Sequence, residues 1–288
     1  MLKNLFGMIL AGFFLFGAGF CITVRAEDCR SIIVTSDPDY PPISWRDNEN
    51  PDKIIGVAVE IIEQAFAGTG IQVEAKYAGP WKRALLSVLG GEVDLIVGLY
   101  ENQERKADMD YVYPPFMEEP VSVFVITGDA FGFEQWTDLK GKVGGVRAGD
   151  SFGTAFDGFA RQHLNLEPVG EFEQLYKMAS AGRIAYFLYG YYSGLALTEK
   201  MGINENIEIL KHPVVMESLY VAFSRDSECR IHKVFLSEKI QEFVAEGLVD
   251  DLIRKYQDIW EAQVEKALMS RVGTGANETI HHDLQDIP

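Results

Sequence analysis

The sequence has little of what metal centres and nucleic-acid surfaces are made of. It contains three cysteines and five histidines, and none of them stands in a cluster with metal-ligand spacing. Acidic residues outnumber basic ones by 43 to 26, so the formal net charge is −17. Such a surface repels nucleic acid and anionic lipid headgroups. We therefore expect neither a bound metal nor a polyanionic partner.

Long apolar stretches are also scarce. Only one, at the N-terminus, reaches membrane-spanning length. Leu5–Val24 contains no acid, and Val24–Ala26 offers small residues at the two positions that a signal peptidase reads. This layout predicts a cleaved signal peptide over residues 1–26 and an exported, periplasmic chain. An uncleaved anchor is the alternative, since the stretch could cross a bilayer. Lipidation of Cys21 is disfavoured by the bulky Phe20 before it.

Cleavage would leave 262 residues with a net charge of −19, because the segment holds two basic residues and no acid. That length fits one large domain or two of about 100–150 residues each. Two cysteines, Cys29 and Cys229, would remain. In an oxidising compartment they could form a disulfide, and two unpaired small hydrophobic side chains are the alternative.

Strand-like and helix-like stretches alternate along the body of the chain. The predicted strands are 31–35, 71–77 and 93–99, and the predicted helices between them are 56–66 and 81–89. Such alternation indicates βαβ units on a mainly parallel sheet, and hence an α/β fold.

A second copy of the strand-helix-glycine-strand unit runs from about residue 164 to Gly190, and its helix ends at Gly182. Two similar units indicate two similar lobes rather than one long sheet. Residues 263–288 lack periodicity and predict a flexible tail.

Arg105 is the first candidate ligand contact. It follows the buried strand 93–99 by a short polar loop, and ligands of open α/β sheets bind beyond the carboxyl ends of strands. A guanidinium there can hold a carboxylate with two parallel hydrogen bonds. The alternative is a surface arginine paired with Glu101 or Glu104.

The glycine-rich stretch Gly144–Gly153 reads as a strand, a turn and a helix start, with Ser151 placed to cap the helix and to reach an anion. An ordinary capped helix is the alternative. Its Gly149-Asp150-Ser151 triplet resembles the surroundings of nucleophilic serines, but no histidine lies in a partner motif. A phosphate-binding P-loop is absent from the sequence.

These pieces occur in the order found in family 3 extracellular solute-binding proteins, which the chain resembles over roughly residues 30–260. The best-known members capture polar amino acids for ABC transporters in the periplasm. The matching segments are Tyr40–Pro42, Gly56–Phe66, Trp81, Leu89–Asp94, Glu104–Arg105, Asp138–Lys142, Gly149–Ser151 and Glu246–Tyr256.

The resemblance implies a two-lobed, type II periplasmic-binding-protein fold with two hinge crossings. Lobe 1 would comprise residues 27–118 and 219–262, and lobe 2 residues 119–218. Cys29 and Cys229 would share lobe 1, which favours their disulfide. Arg105 would hold a ligand carboxylate and Ser151 would support it from the other lobe. The other residues implied at the site are Tyr40, Trp81, Gly98, Tyr100, Asp150 and Gly190.

Two departures from the family pattern concern the ligand's ammonium group. Gly190 stands where amino-acid binders carry an aspartate, and Ala185 replaces another acid. A buried ammonium without an anionic partner costs several kcal/mol. Either Asp150 or Glu118 replaces the missing acid, or the ligand has no α-ammonium.

We therefore expect a monomeric, non-catalytic protein without a cofactor that closes on a small carboxylate ligand. Its partner would be an ABC-transporter membrane component or a membrane receptor. One alternative is an enzyme of this fold resembling periplasmic cyclohexadienyl dehydratases, with Glu118 or Asp150 as the acid. The other is a tethered ligand sensor without a transporter.

Overall fold

The computed structural model describes residues 29–282, with side chains up to residue 269. The predicted signal peptide, including Cys21, lies outside the described residues. None of the helices described is both long enough and apolar enough to cross a membrane.

A nine-stranded mixed sheet runs through the molecule in the order β5-β1-β6-β12-β7-β10-β8-β9, with β11 added beside β7. Its strands are β1 (Ser31–Ser36), β5 (Gln72–Ala75), β6 (Leu95–Tyr100), β7 (Met109–Ile126), β8 (Val143–Arg147), β9 (Asn165–Val169), β10 (Tyr186–Gly190), β11 (Ile207–Ile209) and β12 (Val215–Ser224). A separate three-stranded sheet contains β2 (Asp39–Tyr40), β3 (Ser44–Arg46) and β4 (Ile54–Ile55).

Eight helices cover the sheets within the described residues. They are α1 (Val57–Phe66), α2 (Trp81–Leu89), α3 (Gln103–Asp108), α4 (Thr154–His163), α5 (Phe172–Ser180), α6 (Tyr191–Met201), α7 (Lys233–Glu246) and α8 (Leu248–His282). The longer ones bury apolar residues at helical spacing, as Val57, Ile61 and Ala65 of α1 show. The helices and strands predicted from periodicity are thus confirmed, with bounds shifted by a few residues.

The internal repeat predicted from the sequence is present in the sheet. In the first copy, β1 lies between β5 and β6 and is parallel to both. In the second copy, β8 lies between β9 and β10 and is parallel to both. Each copy forms the parallel part of the nine-stranded sheet in one lobe. The carboxyl ends of β1 and β6 in lobe 1 face those of β8 and β10 in lobe 2.

Two long antiparallel strands, β7 and β12, join the lobes. The amino-terminal part of β7 pairs with β12 beside lobe 1, and its carboxyl-terminal part pairs with β10 in lobe 2. The predicted crossing points fall within these strands, where Glu118 is paired with Ser218. The exact boundaries between the lobes stay a prediction.

The last helix contradicts part of the flexible-tail prediction. α8 continues past residue 263, Val264 is buried, and the Gln263 side chain accepts a hydrogen bond from the Trp45 indole at 3.0 Å. Trp260 is buried between Trp45 of lobe 1 and α6 of lobe 2, where its indole donates to the Ala196 carbonyl. Periodicity did not predict this part of α8, because the residues that contact it are distant in sequence.

Cys29 and Cys229 form the predicted disulfide, which closes a loop with a sequence separation of 200 residues. Cys229 lies just before α7, and Cys29 just before β1. The bond therefore ties the start of the described chain to the returning segment of lobe 1.

Replacing both cysteines by alanine should lower the free energy of unfolding by about 2–4 kcal/mol, because a closed loop restricts the unfolded chain. Urea unfolding followed by circular dichroism measures this loss. Reductant should lower the wild-type midpoint to that of the variant and leave the variant unchanged. An unchanged midpoint in the variant would show that the bond does not stabilise the fold.

Candidate functional site

A cavity lies between the lobes, where the carboxyl ends of β1, β6, β8 and β10 meet. Its volume is about 30 Å³, which is room for about two water molecules. The residues lining it are Asp37, Tyr40, Trp81, Gly98, Leu99, Tyr100, Arg105, Arg147, Asp150, Ser151, Phe152, Tyr189 and Gly190. All eight residues that the sequence predicts as ligand contacts are among them. Their role in binding stays a prediction.

Arg105 reaches across the cleft from α3. Its Nη1 donates to the Tyr100 carbonyl at 3.0 Å in lobe 1, and its Nη2 donates to the Gly149 carbonyl at 2.7 Å in lobe 2. The guanidinium also lies 5.6 Å from the centroid of a Trp81 ring. The acids proposed as surface partners pair elsewhere, Glu101 with Lys106 and Glu104 with Arg161.

A second arginine in the cavity, Arg147 at the end of β8, went unnoticed in the sequence. It is 4% exposed and donates from both Nη atoms to the Asp37 carboxylate, which follows β1 in the opposite lobe. Asp150 accepts from the same guanidinium at 3.3 Å, and the Tyr189 ring lies 4.8 Å away. Burial disfavours the charged form, but Asp150 and Asp37 outweigh this and raise the pKa of Arg147 well above its usual value.

One nitrogen of Arg147 is left without an acceptor. Within the described part of the chain, no oxygen accepts a hydrogen bond from its buried Nε. An unpaired buried N–H is costly, so native structures rarely keep one without a reason. This donor belongs to a residue that lines the cavity.

Ser151 has a different role from the predicted helix cap. α4 begins at Thr154 after Gly153, whose position has no side-chain cap. The Ser151 hydroxyl instead donates to Asp157 and accepts from Asn102 of lobe 1 at 2.7 Å. The capping prediction is wrong because α4 begins only at Thr154, and Gly153 rather than Ser151 occupies the capping position.

A buried carboxyl group stands beside Gly190, and it belongs to Glu119 rather than to the predicted Glu118. Glu118 is exposed, whereas Glu119 is 0% exposed. Alternation along β7 explains the difference, because neighbouring residues of a strand face opposite sides. A Cβ atom added to Gly190 would lie 2.7 Å from Glu119 Oε1. Glu119 therefore fills the space that a side chain at position 190 would take.

Two phenols cover the Glu119 carboxyl group on the cavity side. Tyr40 and Tyr100 both donate to its Oε2, the second at 2.9 Å, and the backbone N–H of Tyr192 donates to Oε1 at 3.2 Å. Burial raises the pKa of Glu119 to about 7, against the lowering effect of these hydrogen bonds.

Three further polar residues of the cavity, Asp37, Arg147 and Tyr189, were not predicted from the sequence, although a usable signal existed. Asp37 follows β1, Arg147 ends β8 and Tyr189 is the last residue but one of β10, at the edge where Gly98 and Gly190 lie. The rule that pointed to Arg105 applies to them equally. Trp45, by contrast, is a packed core residue against Tyr256 and Trp260.

A profile of the bacterial extracellular solute-binding proteins, family 3, matches residues 32–282. A similar curated protein is the probable ABC transporter extracellular-binding protein YckB of Bacillus subtilis, 26% identical over 172 residues. That alignment covers 58% of this chain and 58% of the relative.

Solved structures show the same fold at low sequence identity. The amino acid ABC transporter substrate-binding protein AbpA of Streptococcus pneumoniae, bound to L-arginine, has a TM-score of 0.65 at 20% identity over 82% of this chain and 96% of its own. A histidine kinase sensor domain with similarity to periplasmic binding proteins has a TM-score of 0.66 at 18% identity, covering 79% of this chain and 97% of its own.

Asp37→Asn should lower the free energy of unfolding by about 3 kcal/mol, because it removes one partner of a buried ion pair. Chemical unfolding of the variant beside the wild-type chain measures the loss. Asp129→Asn, at an exposed position, serves as the control and should have no effect. Equal midpoints for Asp37→Asn and the wild type would show that the pair contributes nothing.

Glu119→Gln should change how stability depends on pH. The raised pKa means that the folded chain binds a proton up to about pH 7, whereas the unfolded side chain loses it near 4.5. The contribution of Glu119 to stability therefore falls as pH rises from about 4.5 to about 7, and glutamine lacks this loss. The variant should gain up to about 3 kcal/mol relative to wild type over that range.

Urea unfolding at pH 4.5 and pH 7.5 provides the measurement, and Glu118→Gln is the matched control on the exposed face of β7. The control should keep the wild-type profile. If Glu119→Gln followed the wild type at both pH values, Glu119 would not titrate in this range.

Proposed function

The chain belongs to the bacterial extracellular solute-binding proteins of family 3, and from that membership we propose that it captures a small amino-acid-like or other carboxylate ligand between its two lobes. The proposed location is the periplasm, after removal of the N-terminal signal peptide. The proposed purpose is uptake through an ABC transporter whose membrane component would be the partner of the monomeric, ligand-bound chain.

The observation that carries this proposal is the position of Arg105. Its guanidinium lies at the carboxyl end of β6 and holds a carbonyl oxygen of each lobe. Separation of the lobes would withdraw the Gly149 carbonyl and free the Nη2 N–H that donates to it. A guanidinium with free N–H groups holds a carboxylate more strongly than a neutral carbonyl, because both partners are charged.

Contacts between the lobes around the cavity support a closing mechanism. Arg147 pairs with Asp37, Asn102 with Ser151, and the Tyr189 hydroxyl donates to the Asp39 carbonyl at 2.7 Å. A ligand larger than the 30 Å³ cavity must enter while the lobes are apart. The closed state then gains the energy of contacts that the open state lacks.

The unpaired Nε of Arg147 supports a second anchor for the ligand. A buried donor in the wall of the cavity is satisfied when a ligand oxygen accepts from it. The ligand would then be held by one arginine from each lobe, which would make its binding depend on closure.

Binding without catalysis is the simplest use of these side chains. Both carboxylates that line the cavity, Asp37 and Asp150, are paired with Arg147. The Ser151 hydroxyl donates to Asp157, so it is not activated by a histidine. We therefore propose no enzymatic activity.

Arg105→Ala should weaken binding of the ligand by about 30-fold or more, because charge-assisted hydrogen bonds contribute about 1.5–3 kcal/mol each. The ligand is first found by thermal shift against amino acids, dicarboxylates and amines, since a hundredfold excess over Kd stabilises by about 2.7 kcal/mol. Isothermal titration then compares the variants.

Arg183→Ala, an exposed arginine of lobe 2, should bind as the wild type does. A ligand that binds Arg105→Ala with wild-type affinity would contradict the carboxylate clamp. Absence of any stabilising carboxylate would contradict the proposed ligand class.

A further inference from the structure

Three oxygen atoms beside Gly190 form a closed triangle. The Tyr40 and Tyr100 hydroxyl oxygens lie 2.5 Å apart, and both lie within hydrogen-bond distance of Glu119 Oε2. Each side of the triangle can therefore hold one proton, and three protons satisfy all three sides.

The number of protons depends on the charge of Glu119. When Glu119 is protonated, the two phenols and the carboxylic acid supply three protons, and each oxygen donates once and accepts once. When Glu119 is ionised, only the two phenol protons remain. One side of the triangle then has two oxygen atoms in contact without a proton between them, and this arrangement needs a donor from elsewhere.

The triangle is reached from the cavity through the phenols and not through the carboxyl group. Tyr40, Tyr100 and Gly190 line the cavity, and Glu119 is fully buried behind them. Any donor that completes the ionised triangle must therefore approach the phenol oxygens.

Glycine at position 190 is required by this arrangement. A Cβ atom there would lie 2.6 Å from the Tyr40 hydroxyl oxygen and 2.7 Å from Glu119 Oε1. Such distances are shorter than van der Waals contact, so a larger residue would displace the triangle. A side chain at position 190 and the buried Glu119 carboxyl group therefore exclude each other in this arrangement.

The groups that face Glu119 explain why its charge can change. The Tyr40 phenol comes from β2 and the Tyr100 phenol from β6. Gly190 of β10 lies beside the carboxyl group, and α6 donates the backbone N–H groups of Tyr192 and Ser193.

The charged side chains nearby have other partners. Glu217 of β12 is paired in register with Glu119 but contacts Gly153 and lies near Asp157. Arg147 is held by Asp37 and Asp150. No cation thus contacts the Glu119 carboxylate among the described residues, and burial is what opposes its ionisation.

We propose that the phenol oxygens of Tyr40 and Tyr100 bind an ammonium group of the ligand, and that ionisation of Glu119 switches this binding on. The inference rests on the proposed function, because it names the second half of a ligand whose carboxylate Arg105 holds. The ammonium supplies the N–H donors that the ionised triangle lacks. The buried Glu119 carboxylate balances the ammonium charge from behind the two phenols. Because burial raises the pKa of Glu119 to about 7, its carboxyl group is mostly protonated at pH 5.5 and mostly ionised at pH 8.0.

The test is isothermal titration with amino acids and their analogues that lack the α-amino group. The three pairs are L-alanine with propionate, L-glutamine with 4-carbamoylbutyrate, and L-arginine with 5-guanidinopentanoate, each at pH 5.5 and pH 8.0. The chains compared are wild type, Glu119→Gln, Tyr100→Phe and the control Glu118→Gln.

For a pair that binds, the wild type should prefer the amino acid at least tenfold at pH 8.0. That preference should fall about tenfold at pH 5.5, because only a small fraction of Glu119 is then ionised. Glu118→Gln should match the wild type. Glu119→Gln and Tyr100→Phe should show the weak preference at both pH values while still binding the carboxylate.

Three outcomes would overturn the inference. If the amino acid and its analogue bind wild type equally at pH 8.0, the carboxylate clamp stands and the ammonium site is wrong. If Glu119→Gln keeps both the preference and its pH dependence, the switch is wrong. If none of the six compounds binds at either pH but a carboxylate without an amino group binds in the thermal-shift screen, the inference fails and the proposed function stands; if no carboxylate binds at all, both fail.

Discussion

The ion pair between Arg147 and Asp37 is the contact on which the rest of the cavity depends. It joins the end of β8 in one lobe to the end of β1 in the other, and both side chains are almost fully buried. A charge in such a place is stable only with a partner in good geometry. The lobes therefore have to meet in one register, and this register places Arg105 against Gly149 and Asn102 against Ser151.

The charges of the cavity wall balance once this pair is in place. Arg105 and Arg147 contribute two positive charges, and Asp37 and Asp150 two negative ones. The third carboxyl group, Glu119, is kept from the wall by Tyr40 and Tyr100. Ionisation of Glu119 would add one negative charge behind the wall, and the ammonium group that we propose for the ligand would offset that charge.

Much of the fold was predictable because it rests on local patterns. The amphipathic helix α2 and the fully buried strand β6 are set by the periodicity of their own residues, and the repeat made the second lobe visible. The cavity position followed from the strand ends. The same rule places Arg147 at the cavity, but its pairing with Asp37, which lies 110 residues earlier and in the other lobe, was not predictable from the sequence.

Glu119 and the end of α8 were missed for a related reason. Whether Glu118 or Glu119 faces inward depends on the register of β7, which a sequence rich in proline and glutamate does not reveal. Trp45 contacts Gln263 and Ala196 contacts Trp260 in the last part of α8, and no short-range pattern predicts such partners. The sequence therefore located residues at strand ends but did not reveal which of them pair with residues distant in the chain.

The sheet order has a consequence for the sequence of folding events. β6 needs β12 as its second neighbour, and Tyr100 is paired with Leu219 more than a hundred residues later. The edge of β6 in the first lobe therefore stays unpaired until β12 is available, near the end of the chain. The Cys29–Cys229 disulfide likewise cannot form before Cys229 is available. The second lobe is continuous in sequence between β7 and β12, so it can assemble first. Folding of this chain should accordingly be slow and governed by the late return of its C-terminal segment.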